Sequence, residues 1–173
     1  MKTKTRTLAL EIRMSRVGFA VLEGPSRLLD WGVRGWYAGA DPAISVMGHL
    51  APLLSLYSPV VVVLRDMSHS SRTDRKRIIM AVRRRLLKCS VDVHMVKRAD
   101  VRKAFLASGS ENKYQIADAI AAMFPELRWK LPMKYKFWHG ELRRVALFDA
   151  VSLALTDLSR RGLPPESRAE EAA

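Results

Sequence analysis

The stretch T-L-A-L-E-I-R-M-S-R-V-G-F-A-V-L-E-G, residues 7 to 24, decides how the rest of the chain is read. Leu8, Leu10 and Ile12 fall on one side of an alternating strand, and Ala9 and Glu11 fall on the other. Arg13 to Arg16 is too polar to continue that strand. Val17, Phe19 and Val21 restart the alternation, so the spacing predicts a hairpin returning beside the first strand. Glu11 then leaves the end of an apolar strand, which marks it either as a place for chemistry or as a strand end neutralised by Arg13 or Arg16.

Outward from that hairpin, the chain reads as one domain over residues 1–160 followed by an acidic, core-poor tail over 161–173 that is expected to be disordered. Hydrophobic residues make up 49% of the 173, enough for a real core. Lys and Arg number 30 against 17 Asp and Glu, and the net charge of +13 favours a polyanionic partner, nucleic acid first. One cysteine, Cys89, excludes an internal disulfide and a thiolate-rich zinc site. His49, His69, His94 and His139 show no metal-ligand spacing. No helical segment has the apolar length to cross a bilayer, and Met1 to Arg6 runs straight into a strand, so a cytoplasmic location and no membrane partner are expected.

Along the chain, Gly24-Pro25-Ser26 turns into a third strand, Arg27 to Trp36, completing an antiparallel meander. Helical spacing over Pro42 to Leu56 follows, despite Pro52. Val60 to Leu64 is apolar on both sides, as a parallel strand covered on both faces should be, and it ends in Arg65-Asp66. A helix over Asp74 to Lys88 buries Ile78, Ile79, Val82, Leu86 and Leu87. Arg75, Lys76, Arg77, Arg83, Arg84, Arg85 and Lys88 are assigned its remaining surface. With only Asp74 as an acid, that face suits phosphate contact. Val91 to Val96 is the fifth strand, Asp100 to Leu106 a short helix, and Ser110 is the expected N-cap of a helix that Pro125 closes.

Residues 128 to 139, R-W-K-L-P-M-K-Y-K-F-W-H, interleave rings with cations, a pattern that suits stacking on unpaired bases or an amphipathic cover over the sheet edge. The last helix, Glu141 to Arg160, carries Leu142, Val145, Ala146, Ala150 and Leu153 as an apolar stripe with Asp149 in its middle. A carboxylate there needs a metal ion or an arginine, for example Arg143 or Arg144 in a buried salt bridge.

Three antiparallel strands followed by alternating helices and parallel strands, with acids at Glu11 and Asp149, resemble the ribonuclease H-like fold, and within it the RuvC-type Holliday-junction resolvases. S-R-V-G-F-A-V (15–21) is similar to that family's S-R-x-x-G-x-x-V, G-S-E-N-K-Y-Q (109–115) to its G-x-x-x-K-x-Q, and F-D-A-V-S-L-A (148–154) to its A-D-A-L-A-I-A. The resemblance implies an α/β fold built on a five-stranded mixed sheet with helices on both faces. It also implies a homodimer, a metal-dependent endonuclease of branched DNA working in recombination and repair, and Lys113 near a DNA phosphate. The departures are specific. The first acid is Glu11 instead of Asp, and no glycine turn follows it. Arg65 stands where the family has a second acid, with Asp66 one residue late, and Ala146 stands one turn before Asp149 where the family has another acid.

Two hypotheses follow. In the first, Glu11, Asp66 and Asp149, with Glu141 as a fourth acid, hold one or two Mg²⁺ or Mn²⁺ ions that activate water for phosphodiester hydrolysis. Arg65 would then clamp the scissile phosphate. In the second, the chain binds nucleic acid without cutting it, and Arg65 replaces a metal by pairing with Glu11 or Asp149. DNA phosphates meet Arg65 under the first, and Arg83, Arg84, Arg85, Lys113, Lys130, Lys134 and Lys136 under both. An actin-like ATPase of the same fold is disfavoured because no glycine-rich phosphate loop follows Glu11.

Overall fold

The alternation around Glu11 forms two strands, β1 (Arg6–Ile12) and β2 (Arg16–Glu23), paired antiparallel with Glu11 opposite Gly18. The computed structural model describes residues 5–132 and 141–164. Gly24, at φ 67, makes the turn into β3 (Arg27–Gly35), which pairs antiparallel with β2 through a register shift between Val21 and Leu22. β4 (Val61–Asp66) lies parallel to β1, and β5 (Asp92–Lys97) parallel to β4. The order β3-β2-β1-β4-β5 places β1 at the centre. A central position explains why Thr7 to Ile12 are all buried: both faces of the strand are covered.

Each face is covered by the helices whose apolar stripes match it. Leu8, Leu10, Ile12, Val62 and Leu64 face α1 (Pro42–Tyr57) and α2 (Thr73–Leu86). Ala9, Val61, Val63 and Val96 face α3 (Arg98–Leu106), α4 (Lys113–Met123) and α5 (Glu141–Arg160). This is the expected five-stranded mixed sheet with helices on both faces. α1 starts where Asp41 accepts from the Ile44 amide at 2.8 Å and continues through Pro52.

Three local expectations change. The N-cap of α4 is Asn112, whose side chain accepts from the Tyr114 and Gln115 amides, whereas Ser110 is buried with its hydroxyl toward the Gln115 carbonyl. Pro125 closes α4 but also opens a 3-10 helix, Pro125–Lys130, because its fixed φ suits a first helical turn. α5 is buried on nearly every side from Val145 to Leu158, since it crosses the sheet and is flanked by α3 and α4. The acid held deepest on α5 is therefore Asp157, with His94 Nδ1 at 2.6 Å and Arg161 Nε at 2.8 Å, while Asp149 is half-buried.

Gly18 sets how closely α5 approaches. A Cβ there would sit 2.1 Å from the Ala146 carbonyl oxygen, so only glycine lets the helix backbone rest on β2 beside Glu11. No described helix is long and apolar enough to cross a membrane. Lys134, Lys136 and residues 165–173 of the expected tail lie outside the described residues, as does the side chain of Glu141 at the start of α5.

Candidate functional site: a carboxylate pair held by guanidiniums

Glu11 ends β1 on the α5 face of the sheet, and by the same alternation Arg65 ends β4 on that face. Arg65 Nε donates to Glu11 Oε2 at 2.7 Å. Across the end of β1, Arg75 reaches in from α2 and donates to both Glu11 Oε1 and the Ile12 carbonyl, the latter at 2.6 Å from its Nε. Arg13, in the hairpin break, places a terminal nitrogen 2.6 Å from Asp149 Oδ2 and 3.8 Å from Glu11 Oε1. Glu11 and Asp149 are thus brought together, as α5 packing over Gly18 requires. Three guanidiniums share the two carboxylates.

Burial alone would push the Glu11 carboxyl up, but Arg65, Arg75 and Arg13 outweigh it and hold it below the usual carboxylate range. Asp149 goes the other way. Burial first, and then the charge of Glu11, raise its carboxyl against the opposing pull of the arginines. Glu11 is 1% exposed at its side chain, whereas Asp149 and Arg13 keep about a quarter of theirs in solvent. The mouth of the site is therefore the Arg13–Asp149 pair.

Asp66 does not join this group. Strand alternation turns it to the α1/α2 face, where it accepts from the Ser68 amide at 2.8 Å. Slight burial works against its charge, and the Ser68 amide, Lys97 and His69 more than offset it, lowering its carboxyl. Arg65 is also relocated. It is 8% exposed and turned onto Glu11, so it is an internal partner of the carboxylate and not a clamp open to phosphate. Asp149 takes its arginine from Arg13 and not from Arg143 or Arg144, both of which are exposed.

Arg75 was missed as a site residue. The sequence reading places it on the basic, phosphate-facing surface of its helix, but it is buried at 9% exposure. The signal was available in the spacing: Arg75 precedes Ile78, Ile79, Val82 and Leu86 by three, four, seven and eleven residues, which puts it on the apolar stripe. Of the other bases on α2, Arg77, Arg84 and Arg85 are exposed and Lys76 and Arg83 half-buried. Lys113 is exposed above the Tyr114 ring at 4.8 Å, and Lys130 lies 4.1 Å from the exposed Trp129 ring, a cation beside a stacking surface.

The donor set does not fit a pair of divalent ions. Such ions need several carboxylate oxygens free to coordinate, and here both oxygens of Glu11 already accept from guanidiniums and Asp149 from a third. Bringing further positive charge among three guanidiniums and two carboxylates is opposed by Coulomb repulsion. Among the described residues no cluster of three or more metal-ligating side chains is formed.

No family model and no curated protein matches the sequence. Solved structures do match. Thermus thermophilus RuvC in complex with a Holliday-junction substrate is 16% identical, covering 91% of this chain and 96% of that one, with a TM-score of 0.66. The yeast mitochondrial Holliday-junction resolvase Ydc2 is 7% identical over 91% of this chain and 81% of its own, at 0.57. The fowlpox virus resolvase bound to Holliday-junction DNA is 14% identical over 91% and 99%, at 0.50. At these identities the likeness establishes the fold: the chain has the ribonuclease H-like architecture that these resolvases share.

Proposed function

We propose that this protein binds branched DNA through its basic surfaces and does so without metal-dependent hydrolysis at the Glu11 site. The observation that carries the reading is the sequestration of Glu11 by Arg65 and Arg75, with Arg13 spanning Glu11 and Asp149. A carboxylate centre neutralised by fixed arginines has no need of a cation, and its charges are spent inside the protein. Among the described residues, the bases open to a polyanion include the exposed side of α2 with Lys76, Arg77, Arg84 and Arg85, together with Lys113 and the Trp129–Lys130 pair. Branched DNA is favoured over other polyanions because two of the structures sharing the fold hold Holliday junctions.

The second reading is a divergent nuclease, and one observation favours it: Glu11 and Asp149 meet at the end of the central strand, with Asp149 partly exposed. One experiment separates the two. The native chain is incubated with a labelled four-way junction and with duplex of the same sequence, in EDTA, Mg²⁺ and Mn²⁺, and both binding and strand scission are read. Junction binding in EDTA, with no need of a divalent ion, and no scission in any of the three is the expected result. Scission in Mn²⁺ that Asp149→Asn abolishes establishes the nuclease, and absence of binding to either DNA removes both readings.

A further inference from the structure

The first turn of α2 is secured in an unusual way. Arg72 at its N-cap offers no side-chain acceptor to the free amides, and the helix's one first-turn acid, Asp74, is exposed, 3.9 Å from Arg77. The group that ties this turn to the sheet is Arg75, whose guanidinium bonds the Ile12 carbonyl and Glu11 at the end of β1. On the opposite side of the same turns, Thr73, Lys76, Arg77, Met80 and Arg84 line a shallow groove, to which the three bases contribute mainly their aliphatic stems. Arg75 and that groove are thus two faces of one rigid element.

We infer that Glu11 and Arg75 form a positioning pair for DNA binding: the carboxylate at the end of the central strand fixes the rotation and height of α2, and so the placement of its outward bases. A guanidinium fork suits this task because it grips a carboxylate and a carbonyl in one plane, which sets an orientation as well as a distance. The site that a carboxylate-metal centre would occupy serves here as the seat of the binding helix. The inference rests on the DNA-binding reading above for its consequence, but the seating itself is a property of the free protein.

Charge makes the test discriminating. Glu11→Gln leaves the chain one unit more positive, so long-range electrostatics alone would tighten DNA binding. A positioning role gives the opposite sign. The full chain, Glu11→Gln, Arg75→Gln, the double variant and Arg77→Gln are compared in EDTA for junction affinity across a salt series. Hydrogen exchange of residues 73–86 is followed in the free proteins. Both single variants at the seat are expected to bind about tenfold more weakly or worse and to lose amide protection at the start of α2, with the double variant no worse than the weaker single, as for a contacting pair. Arg77→Gln, which removes a surface charge, should lower the salt slope by about 0.9 and leave protection intact. Should Glu11→Gln fail to fold, Arg75→Gln, which leaves Glu11 paired with Arg65, decides. Protection lost over residues 73–80 but kept in β1 and β4 supports the seat, and protection kept throughout overturns it. Glu11→Gln binding as tightly as the native chain with α2 protected overturns it as well. If the native chain binds no DNA, the DNA reading falls while the exchange data still decide the seating.

Discussion

Glu11 accepts from Arg65 and Arg75 with its two carboxylate oxygens while almost wholly out of water, so its loss leaves two guanidiniums buried and unpaired. Breaking such a pair typically costs about 3–5 kcal/mol, a large part of a domain's 5–15. Glu11→Ala should therefore lower the urea midpoint by that equivalent. The pH dependence follows from the direction of the shift. With its native carboxyl held below the ordinary 4.5, Glu11 contributes stability that is present above that value and lost as pH falls toward its native titration. Asp149, raised from 3.8, has the opposite sign and costs stability as pH rises through the interval above 3.8. Thermal melts from pH 3 to 7 should show a steeper acid limb in the native chain than in the Glu11→Gln/Arg75→Gln variant; equal limbs would remove Glu11 from the account. At Gly18 the constraint is steric. The Cβ of Gly18→Ala would lie 2.1 Å from a backbone oxygen of α5, and since that backbone cannot rotate away, the substitution should cost at least about 3 kcal/mol, read as a loss in chemical-denaturation midpoint.

α2 combines two functions that its spacing separates. The stripe through Ile78, Ile79, Val82 and Leu86 binds it to the sheet, and the outward bases Arg84 and Arg85 near its C-terminus meet solvent, where cations are also favoured by the helix dipole. Reversing Arg84 and Arg85 to Glu should leave the fold intact and weaken junction binding by at least about tenfold, because two phosphate contacts become repulsions. A double reversal that binds unchanged in a gel-shift titration places the DNA elsewhere. α5 has a different logic. Its burial from Val145 to Leu158 makes it the inner helix of the fold, and Asp149 is the one residue in that span that is not buried. This is why Asp149, and not the deeper Asp157, can face the mouth beside Arg13.

For the molecule as a whole, a net charge of +13 predicts affinity dominated by phosphate neutralisation. With about five phosphates contacted, the slope of log affinity against log salt should have a magnitude of roughly four or more. A flat salt response in fluorescence anisotropy contradicts this. The melting temperature should be unmoved by Mg²⁺ at millimolar concentration, since the carboxylates are already neutralised; a rise that grows with Mg²⁺ would show a cation site after all. The sequence by itself determined the strands and their order of types, because alternation over residues 7–24 and the two-sided apolar run at Val60 to Leu64 are set by local period. It also brought out Glu11 and Asp149 as the acids that stand against apolar patterns. It also offered Arg65 as a possible partner of Glu11. Only the tertiary structure decided who neutralises Glu11 and Asp149. Arg75 lies 64 residues from Glu11, and Arg13 136 from Asp149. No local period encodes such a pairing: it arises when α2 and α5 close over opposite faces of the sheet at one end of β1, where low dielectric forces each buried charge to find its partner.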